Sequence, residues 1–272
     1  MIQKRIDVLL TEKGFADSRE RAKKIIKEGS VYVGTKKIDK PGEKIDEDSV
    51  IEVKKDPLVY VGRGGFKLEK AINEFNITLK GKSALDIGAS TGGFTDCMLQ
   101  KGAGIVVAID VGYGQLDLKI RNNPKVIVKE RTNIRYLKKE DLDVEGDFAS
   151  VDVSFISLRL VLPVVKELLK GEGEMVALIK PQFEAGKNNV GKKGIVRDYK
   201  IHENVIIGLR DYCDSIGMGM CGLTYSPIKG KEGNTEYLSF IKKEWKTEEV
   251  VDNSRIKEVI KSALVYTLFC LP

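Results

Sequence analysis

An acid followed by clustered glycines, Leu85-Asp86-Ile87-Gly88-Ala89-Ser90-Thr91-Gly92-Gly93-Phe94, lies between an apolar run of strand length and a segment of helical spacing. Glycines at such a turn let the backbone approach a ligand closely and leave amide groups pointing at it. A second acid, Asp110, ends the next apolar run, where a carboxylate can accept hydrogen bonds from both hydroxyls of a ribose. The glycines read Gly88-x-x-x-Gly92-Gly93 and not as the GxGxxG of a dinucleotide loop, and Asp86 would repel a pyrophosphate. Beside the sulfonium and ammonium of S-adenosylmethionine a carboxylate is favourable. The acid-first loop therefore points to a methyl donor, ahead of a nicotinamide cofactor or a turn with no ligand.

The acceptor atom is narrowed by what is missing. Methylation of a base amine calls for an Asp/Asn-Pro-Pro-aromatic loop after the fourth strand, but Ser150-Val151-Asp152-Val153-Ser154-Phe155 stands there. Methylation at a pyrimidine carbon calls for a cysteine nucleophile after a proline, and the chain has no Pro-Cys pair. A ribose hydroxyl is a poor nucleophile that must be positioned and deprotonated as the methyl transfers. Lysines held by carboxylates can do this. Lys67 before the first strand, Asp152 after the fourth, Lys180 after the fifth and Glu236 on a late strand are placed for it. Ligands of open parallel sheets bind beyond the carboxyl ends of the strands, which suits Asp152 and Lys180.

The elements that must hold these residues follow from periodicity. Ser83–Ile87, Ile105–Ile109, Val126–Val128, Phe148–Val151 and Met175–Ile179 read as buried strands. Phe66–Phe75, Thr91–Gln100, Leu158–Leu169 and Tyr199–Ile216 read as helices, so a mostly parallel sheet covered on both faces is expected. Gly222–Ser226 and Glu236–Lys242 form a closing antiparallel pair, and a helix spans Asn253–Leu264. Before residue 56 the pattern is different. Ile6, Leu9 and Leu10 give one apolar helical face; Ser18 caps a second helix with Ala22, Ile25 and Ile26 inward, ended at Glu28-Gly29. Small strands follow at Val31–Val33 and Val50–Val53, with a turn at Gly34–Lys37, and Lys54-Lys55-Asp56-Pro57 reads as a linker. The expected domains are 1–56, a linker at 57–64, 65–246, and a tail at 247–272 whose role the sequence leaves open.

The net charge of +6 is modest, but Arg19, Arg21, Lys23, Lys24 and Lys27 crowd one stretch against Glu20 alone, which suits a polyanion as partner, although such a run standing by itself is more often a solvated helix face. Four cysteines without a CxxC pair and a single histidine give no expectation of a metal site or a disulfide framework, and imply a reducing, cytoplasmic setting. No secretory leader and no apolar run long enough to span a bilayer is evident, so no membrane partner is expected.

At this point the chain resembles a known family. Its first segment is similar to the alpha-L RNA-binding fold of a small-subunit ribosomal protein and of pseudouridine synthases. The remainder resembles the FtsJ-type 2′-O-methyltransferases. In this order the two resemble the TlyA family, also called hemolysin A. The segments that carry the resemblance are Gly62–Leu68, Asp86–Phe94, Asp110–Leu116, Glu130–Arg135, Asp152–Ser157, Lys180-Pro181-Gln182-Phe183-Glu184 and Gly233–Tyr237. The resemblance implies a Rossmann-like methyltransferase domain with a mixed seven-stranded sheet behind a small α+β RNA-binding domain. It also implies a Lys-Asp-Lys-Glu tetrad at Lys67, Asp152, Lys180 and Glu236, with Lys180 as base or hydroxyl-orienting cation. The donor pocket would be built by Gly88, Ser90, Thr91, Gly92, Gly93, Phe94 and Asp110, with Glu130 or Asn133 at the adenine edge. The implied reaction is 2′-O-methylation of a cytidine ribose in ribosomal RNA.

The segment Pro181–Asp198, with Lys187, Lys192, Lys193 and Arg197 among glycines, reads as a lid gripping RNA phosphates or as a surface loop. His202 is expected to cap its helix or face solvent, and Tyr113 to line the donor pocket or pack. The apolar Leu264–Pro272 packs on the domain or marks a partner surface. Two rival functions remain: a non-catalytic RNA-binding or ribosome-assembly factor, opposed by the complete tetrad, and a hemolysin, opposed by the lack of a membrane-active segment.

Overall fold

The computed structural model describes residues 3–16, 18–27, 29–53, 59–230 and 232–269. The linker expected at Lys54–Pro57 and Glu28 at the predicted helix end lie outside them. The chain divides into two compact units, Met1–Tyr60 and Val61–Pro272.

In the first unit, β1 (Gln3–Arg5) leads into α1 (Ile6–Glu12) and α2 (Arg19–Lys27), followed by β2 (Val31–Val33), β3 (Lys36–Ile38), β4 (Lys44–Asp46) and β5 (Ile51–Val53). The Ser18 hydroxyl accepts the Arg21 amide, capping α2 as its position suggested. Ile6, Leu9, Leu10, Ala22, Ile25 and Ile26 are all buried and close on Val31, Ile38 and Ile51 of the sheet β3-β2-β5. β1 pairs with β4. Three of these strands were not foreseen. Their three residues are mostly charged, and the turn expected through Lys37 already gives way to β3 at Lys36.

The second unit opens with α3 (Gly64–Glu74) and β6 (Ser83–Ile87), then α4 (Gly93–Gln100), β7 (Ile105–Ile109), α5 (Leu118–Arg121), β8 (Val126–Lys129), β9 (Gly146–Val151) and α6 (Leu162–Leu168). It continues through β10 (Leu169–Ile179), α7 (Pro181–Glu184), α8 (Tyr199–Ser215), β11 (Gly219–Tyr225), β12 (Tyr237–Lys242) and α9 (Asn253–Phe269). The seven-stranded sheet has the order β11-β12-β10-β9-β6-β7-β8. β10, β9, β6, β7 and β8 run parallel, and β12 lies antiparallel between β10 and β11. Apolar residues from β6, β9 and β10 pack against α6 and α8 in a continuous core.

Helix boundaries shift where local chemistry overrides periodicity. α4 begins at Gly93, two residues late, because Gly92 adopts a left-handed conformation (φ 91°) and Thr91 stays in the turn. The segment expected as one helix from Leu158 splits into a 3-10 turn at Leu158–Leu160 and α6, with Pro163 at the start of the latter. α9 runs beyond Leu264 to Phe269, burying Ile256, Val259, Ile260 and Ala263. The Tyr266 hydroxyl donates to the Pro227 carbonyl.

Candidate active site

Because β6, β7, β9 and β10 are parallel, the residues that follow Ile87, Ile109, Val151 and Ile179 meet at one edge of the sheet, and two adjoining cavities open there. The first, about 710 Å³, is walled by Gly88, Ser90, Asp110 and Asn133 together with apolar Ile109, Val111, Ile134, Ile156 and Leu160. The second, about 560 Å³, is lined by Lys67, Thr91, Gly93, Phe94, Asp152, Lys180 and Glu236, among others. Gly88, Ser90, Asp152, Ser154 and Phe155 belong to both walls.

Asp110 organises the first cavity. Its Oδ2 accepts the Ser90 amide at 2.7 Å and its Oδ1 the Gly112 amide at 2.7 Å, which ties the glycine loop to the loop after β7. Each carboxylate oxygen keeps a further lone pair. Gly88 has φ 87°, and a Cβ there would strike the carbonyl oxygen of Asp152, so only glycine lets the two loops close on each other.

Not every residue expected at the donor pocket is there. Asp86 lines neither cavity: it is fully buried, its Oδ2 accepting the Thr95 hydroxyl at 2.6 Å and its Oδ1 the Ser150 hydroxyl at 3.0 Å. Successive side chains of a strand point to opposite faces, and Asp86 points at α4 and β9. Burial pushes its carboxyl up to about 6, with the two hydroxyls opposing. Gly92 also lines neither cavity and packs on Leu116 and Ile120. Thr91, Gly93 and Phe94 border the second cavity and not the first. Glu130 lines neither cavity and holds the Gly114 amide at 2.8 Å and the Arg121 guanidinium at 2.5 Å, whereas Asn133 lines the first cavity. Tyr113 is exposed, beneath the Arg131 guanidinium, and lines neither cavity.

The second cavity gathers all four residues of the expected tetrad. Lys67 Nζ on α3 lies 2.7 Å from Glu236 Oε2 and 3.8 Å from Asp152 Oδ2. Lys180 Nζ lies 2.6 Å from Asp152 Oδ1 and donates to the Ser154 hydroxyl at 2.9 Å. The Asp152 contact is ionic and not a well-aligned hydrogen bond, since Oδ1 accepts none of good geometry. Two ammonium groups thus share two carboxylates in a chain, Glu236–Lys67–Asp152–Lys180, with Lys67, Lys180 and Glu236 buried. Glu236 sits one residue ahead of β12 and not within it. Ser154 and the 91%-exposed Phe155 (φ 63°) were not singled out in the sequence. The signal available was an aromatic residue three positions after Asp152, in the segment that leaves the fourth strand of the large sheet.

His202 is neither a cap nor exposed. Asp198 caps α8, while the His202 ring is buried with Nδ1 2.8 Å from the Tyr237 hydroxyl and Nε2 2.9 Å from the Val196 carbonyl. A carbonyl can only accept, so Nε2 carries the proton and Nδ1 takes the Tyr237 O–H. Burial lowers the imidazole pKa, in keeping with a neutral ring. Asn234 holds the same segment through the Val196 amide at 3.2 Å and the Gly194 carbonyl at 2.9 Å. Lys187, Lys192, Lys193 and Arg197 on this segment are all exposed. Pro181–Asp198 is therefore partly structured, with α7 and a 3-10 turn at Lys187–Asn189.

In the first unit, considered by itself, Arg19, Lys24 and Lys27 are exposed and Arg21 and Lys23 half-buried. Lys23 pairs with Glu20 at 2.6 Å. Arg19 also donates to Asp7, a fully buried carboxylate that takes Arg5 through both oxygens at 3.0 Å. The Arg5 guanidinium, assisted by Arg19 and working against burial, holds the Asp7 carboxyl at about 2. Arg5 was missed because it stands outside the basic run. Among the described residues there is no cluster of metal-ligating side chains, and no helix is long and apolar enough to cross a membrane.

Comparison with known proteins agrees with both units. The FtsJ-like methyltransferase model matches residues 60–243 and the S4 domain model residues 4–51. A Bacillus subtilis (strain 168) protein described as a candidate rRNA methyltransferase, YqxC, is 52% identical over 87% of this chain and 84% of its own length. The 16S/23S rRNA (cytidine-2′-O)-methyltransferase TlyA of Mycobacterium tuberculosis is 38% identical over 88% of this chain and 89% of its own. A solved structure of a candidate hemolysin from Streptococcus thermophilus is 43% identical, covers 98% of both chains and superposes with a TM-score of 0.76.

Proposed function

This chain, with its S4 domain, belongs to the FtsJ-like methyltransferase family and has TlyA and hemolysin A among its relatives, and on that premise we propose that it methylates the 2′-hydroxyl of a cytidine ribose in ribosomal RNA from S-adenosylmethionine. The observation that carries the reading is the adjacency of the two cavities: the tetrad opens onto the same wall of Gly88, Ser90, Asp152, Ser154 and Phe155 that closes the glycine-loop cavity.

The first cavity suits an adenosyl donor in its chemistry. Ile109, Val111, Ile134 and Leu160 offer apolar walls to a purine, Asp110 offers acceptors to ribose hydroxyls, and Gly88 and Ser90 bring backbone close to the remainder. When bound, S-adenosylmethionine supplies an electrophilic methyl group on a sulfonium. Asp86 serves this pocket indirectly, by fixing β6 to α4 and β9.

Lys180 orients the acceptor hydroxyl. Two of its three ammonium positions face Asp152 and Ser154, leaving one for a group in the cavity that it lines. As the oxygen takes the methyl group and the donor's S–CH3 bond breaks, the hydroxyl proton leaves to solvent while the Lys180 ammonium holds the oxygen; to act as the base, Lys180 would first have to release one of its own protons. Asp152, between two ammonium groups, holds Lys180 in place, and Glu236 holds Lys67. Every charge in the chain has an opposite neighbour, so the site is rigid without a large unpaired buried charge.

The RNA-binding surfaces are assigned to Arg19, Arg21, Lys23, Lys24 and Lys27 on the S4 unit and to Lys187, Lys192, Lys193 and Arg197 on the catalytic unit. The domain plan is residues 1–56 for RNA binding, 57–64 as linker, 65–246 for methyl transfer and 247–272 as a C-terminal tail, in a cytoplasmic protein. The test is methyl transfer from labelled S-adenosylmethionine to separated ribosomal subunits and to naked ribosomal RNA, wild type beside Lys180→Ala. Label in an alkali-stable dinucleotide, lost in the variant while S-adenosylhomocysteine still binds, supports the reading. RNA and cofactor binding without any incorporation would point to a non-catalytic assembly factor.

A further inference from the structure

β9 and β10 are neighbours and parallel, so the segments that leave them, 152–158 and 180–184, run side by side over the second cavity. They are joined at three levels. Lys180 meets Asp152 and Ser154 at 2.6 and 2.9 Å. Phe183 packs on Phe155 with ring centroids 5.1 Å apart. Glu184 closes the far end, its Oε2 accepting the Ser157 hydroxyl and its Oε1 the Leu158 amide, both at 2.7 Å. The rungs keep their order along both segments, as in a ladder.

The last rung is the most strongly constrained. The Ser157 hydroxyl also accepts the Arg159 amide, so Glu184 and Ser157 together satisfy the start of the 3-10 turn at Leu158–Leu160. A carboxylate accepting two charge-assisted hydrogen bonds is a stiff joint. What it stiffens matters. Phe155 holds a left-handed backbone conformation that non-glycine residues seldom take, and its ring is almost wholly exposed on the wall shared by both cavities. Its ring packs on Phe183, which stands between Gln182 and Glu184.

We propose that Glu184 is a positioning residue for the methyl-transfer site, holding the 152–158 segment against the 180–184 segment so that Lys180 and Phe155 keep their places around the acceptor ribose. It does not line either cavity, so it acts through the loops and not on a substrate. The inference rests on the reading of the tetrad as a methyl-transfer site.

The test uses the full chain with the ribosomal substrate that the wild type methylates. Glu184→Ala removes both acceptors; Glu184→Gln keeps one carboxamide oxygen to face two donors. A displacement of catalytic groups by about 1 Å costs on the order of a hundredfold in rate. The expected result is a kcat lowered by about ten- to a hundredfold in Glu184→Ala and less in Glu184→Gln. The Kd for S-adenosylhomocysteine stays within about twofold. A purely structural role would lower the melting temperature and leave kcat intact well below it. That outcome, kcat of folded Glu184→Ala within about twofold of wild type, overturns the proposal. Should Glu184→Ala fail to fold, Ser157→Ala removes half the rung: reduced kcat with unchanged S-adenosylhomocysteine affinity supports the proposal, and unchanged kcat overturns it. A wild type that transfers no methyl group to any ribosomal substrate instead refutes the functional reading beneath it.

Discussion

Lys67 and Glu236 are 169 residues apart in the chain and 2.7 Å apart in the fold. α3 supplies the lysine before the sheet begins and the approach to β12 supplies the carboxylate as it ends, so their contact ties the helix ahead of the sheet to its last strand across the cavity. Glu236→Gln keeps the shape of the pair and removes its charge, leaving Lys67 with Asp152 at 3.8 Å. The expected outcome is a kcat lower by about tenfold or more, the range in which removal of a preorganised electrostatic contact acts. Affinity for S-adenosylhomocysteine should not change, because Glu236 borders only the second cavity. Steady-state kinetics beside calorimetric titration of the cofactor product separates the two.

Asp110→Ala should show the opposite split. It removes the acceptor of the Ser90 and Gly112 amides and, with it, the carboxylate proposed to face the donor's ribose. S-adenosylhomocysteine should bind more weakly by about 1.5–3 kcal/mol, the worth of hydrogen bonds to a charged group. Unaltered affinity by titration would remove Asp110 from the donor site.

Asp86 gives a pH dependence of unusual sign. Its folded pKa, about 6, lies above the ordinary carboxylate value of 3.8, so the folded protein binds more protons than the unfolded chain between those pH values. Stability therefore falls as pH rises from 3.8 through about 6, and the full penalty is present at pH 8. Asp86→Asn removes this penalty. Thermal melts of both proteins at pH 5 and pH 8 should show the variant gaining on wild type at the higher pH, by an amount on the order of 1–3 kcal/mol. A gap that is the same at both pH values would mean that Asp86 titrates normally.

Phe155→Ala should be nearly silent for folding and costly for activity. With 91% of the residue exposed, its loss should change stability by no more than about 0.5 kcal/mol. A base resting on an aromatic ring contributes about 1–3 kcal/mol, so KM for the RNA should rise by roughly tenfold. An unchanged KM would assign the ring to packing against Phe183 alone.

The legible part of this fold was the part in which one physical requirement dominates. Strands buried on both faces read as apolar runs, and Ser83–Ile87 and Ile105–Ile109 were located to the residue. The same property hid the aim of Asp86: a strand covered on both sides has no polar face to show which way a carboxylate turns. β1, β3 and β4 were invisible because three charged or mixed residues carry no period, and only pairing makes them strands. His202 could not be placed because its partners, Val196 and Tyr237, come from separate elements. The tetrad residues could be listed from the sequence, but Ser154, Phe155 and Glu184 act through contacts that exist only once two parallel strands have aligned the segments leaving them.

The reversed direction of β12 has a consequence for the order of events in the cell. Running against its neighbours, it delivers Glu236 to the same edge as the carboxyl ends of the other strands, and it is the last strand of the sheet to be synthesised. A growing chain lays down α3 and all five parallel core strands while Lys67 still lacks its nearest anion. The site is thus completed late in translation, and a nascent chain that could already hold a nucleotide-like donor would have no finished centre with which to spend it.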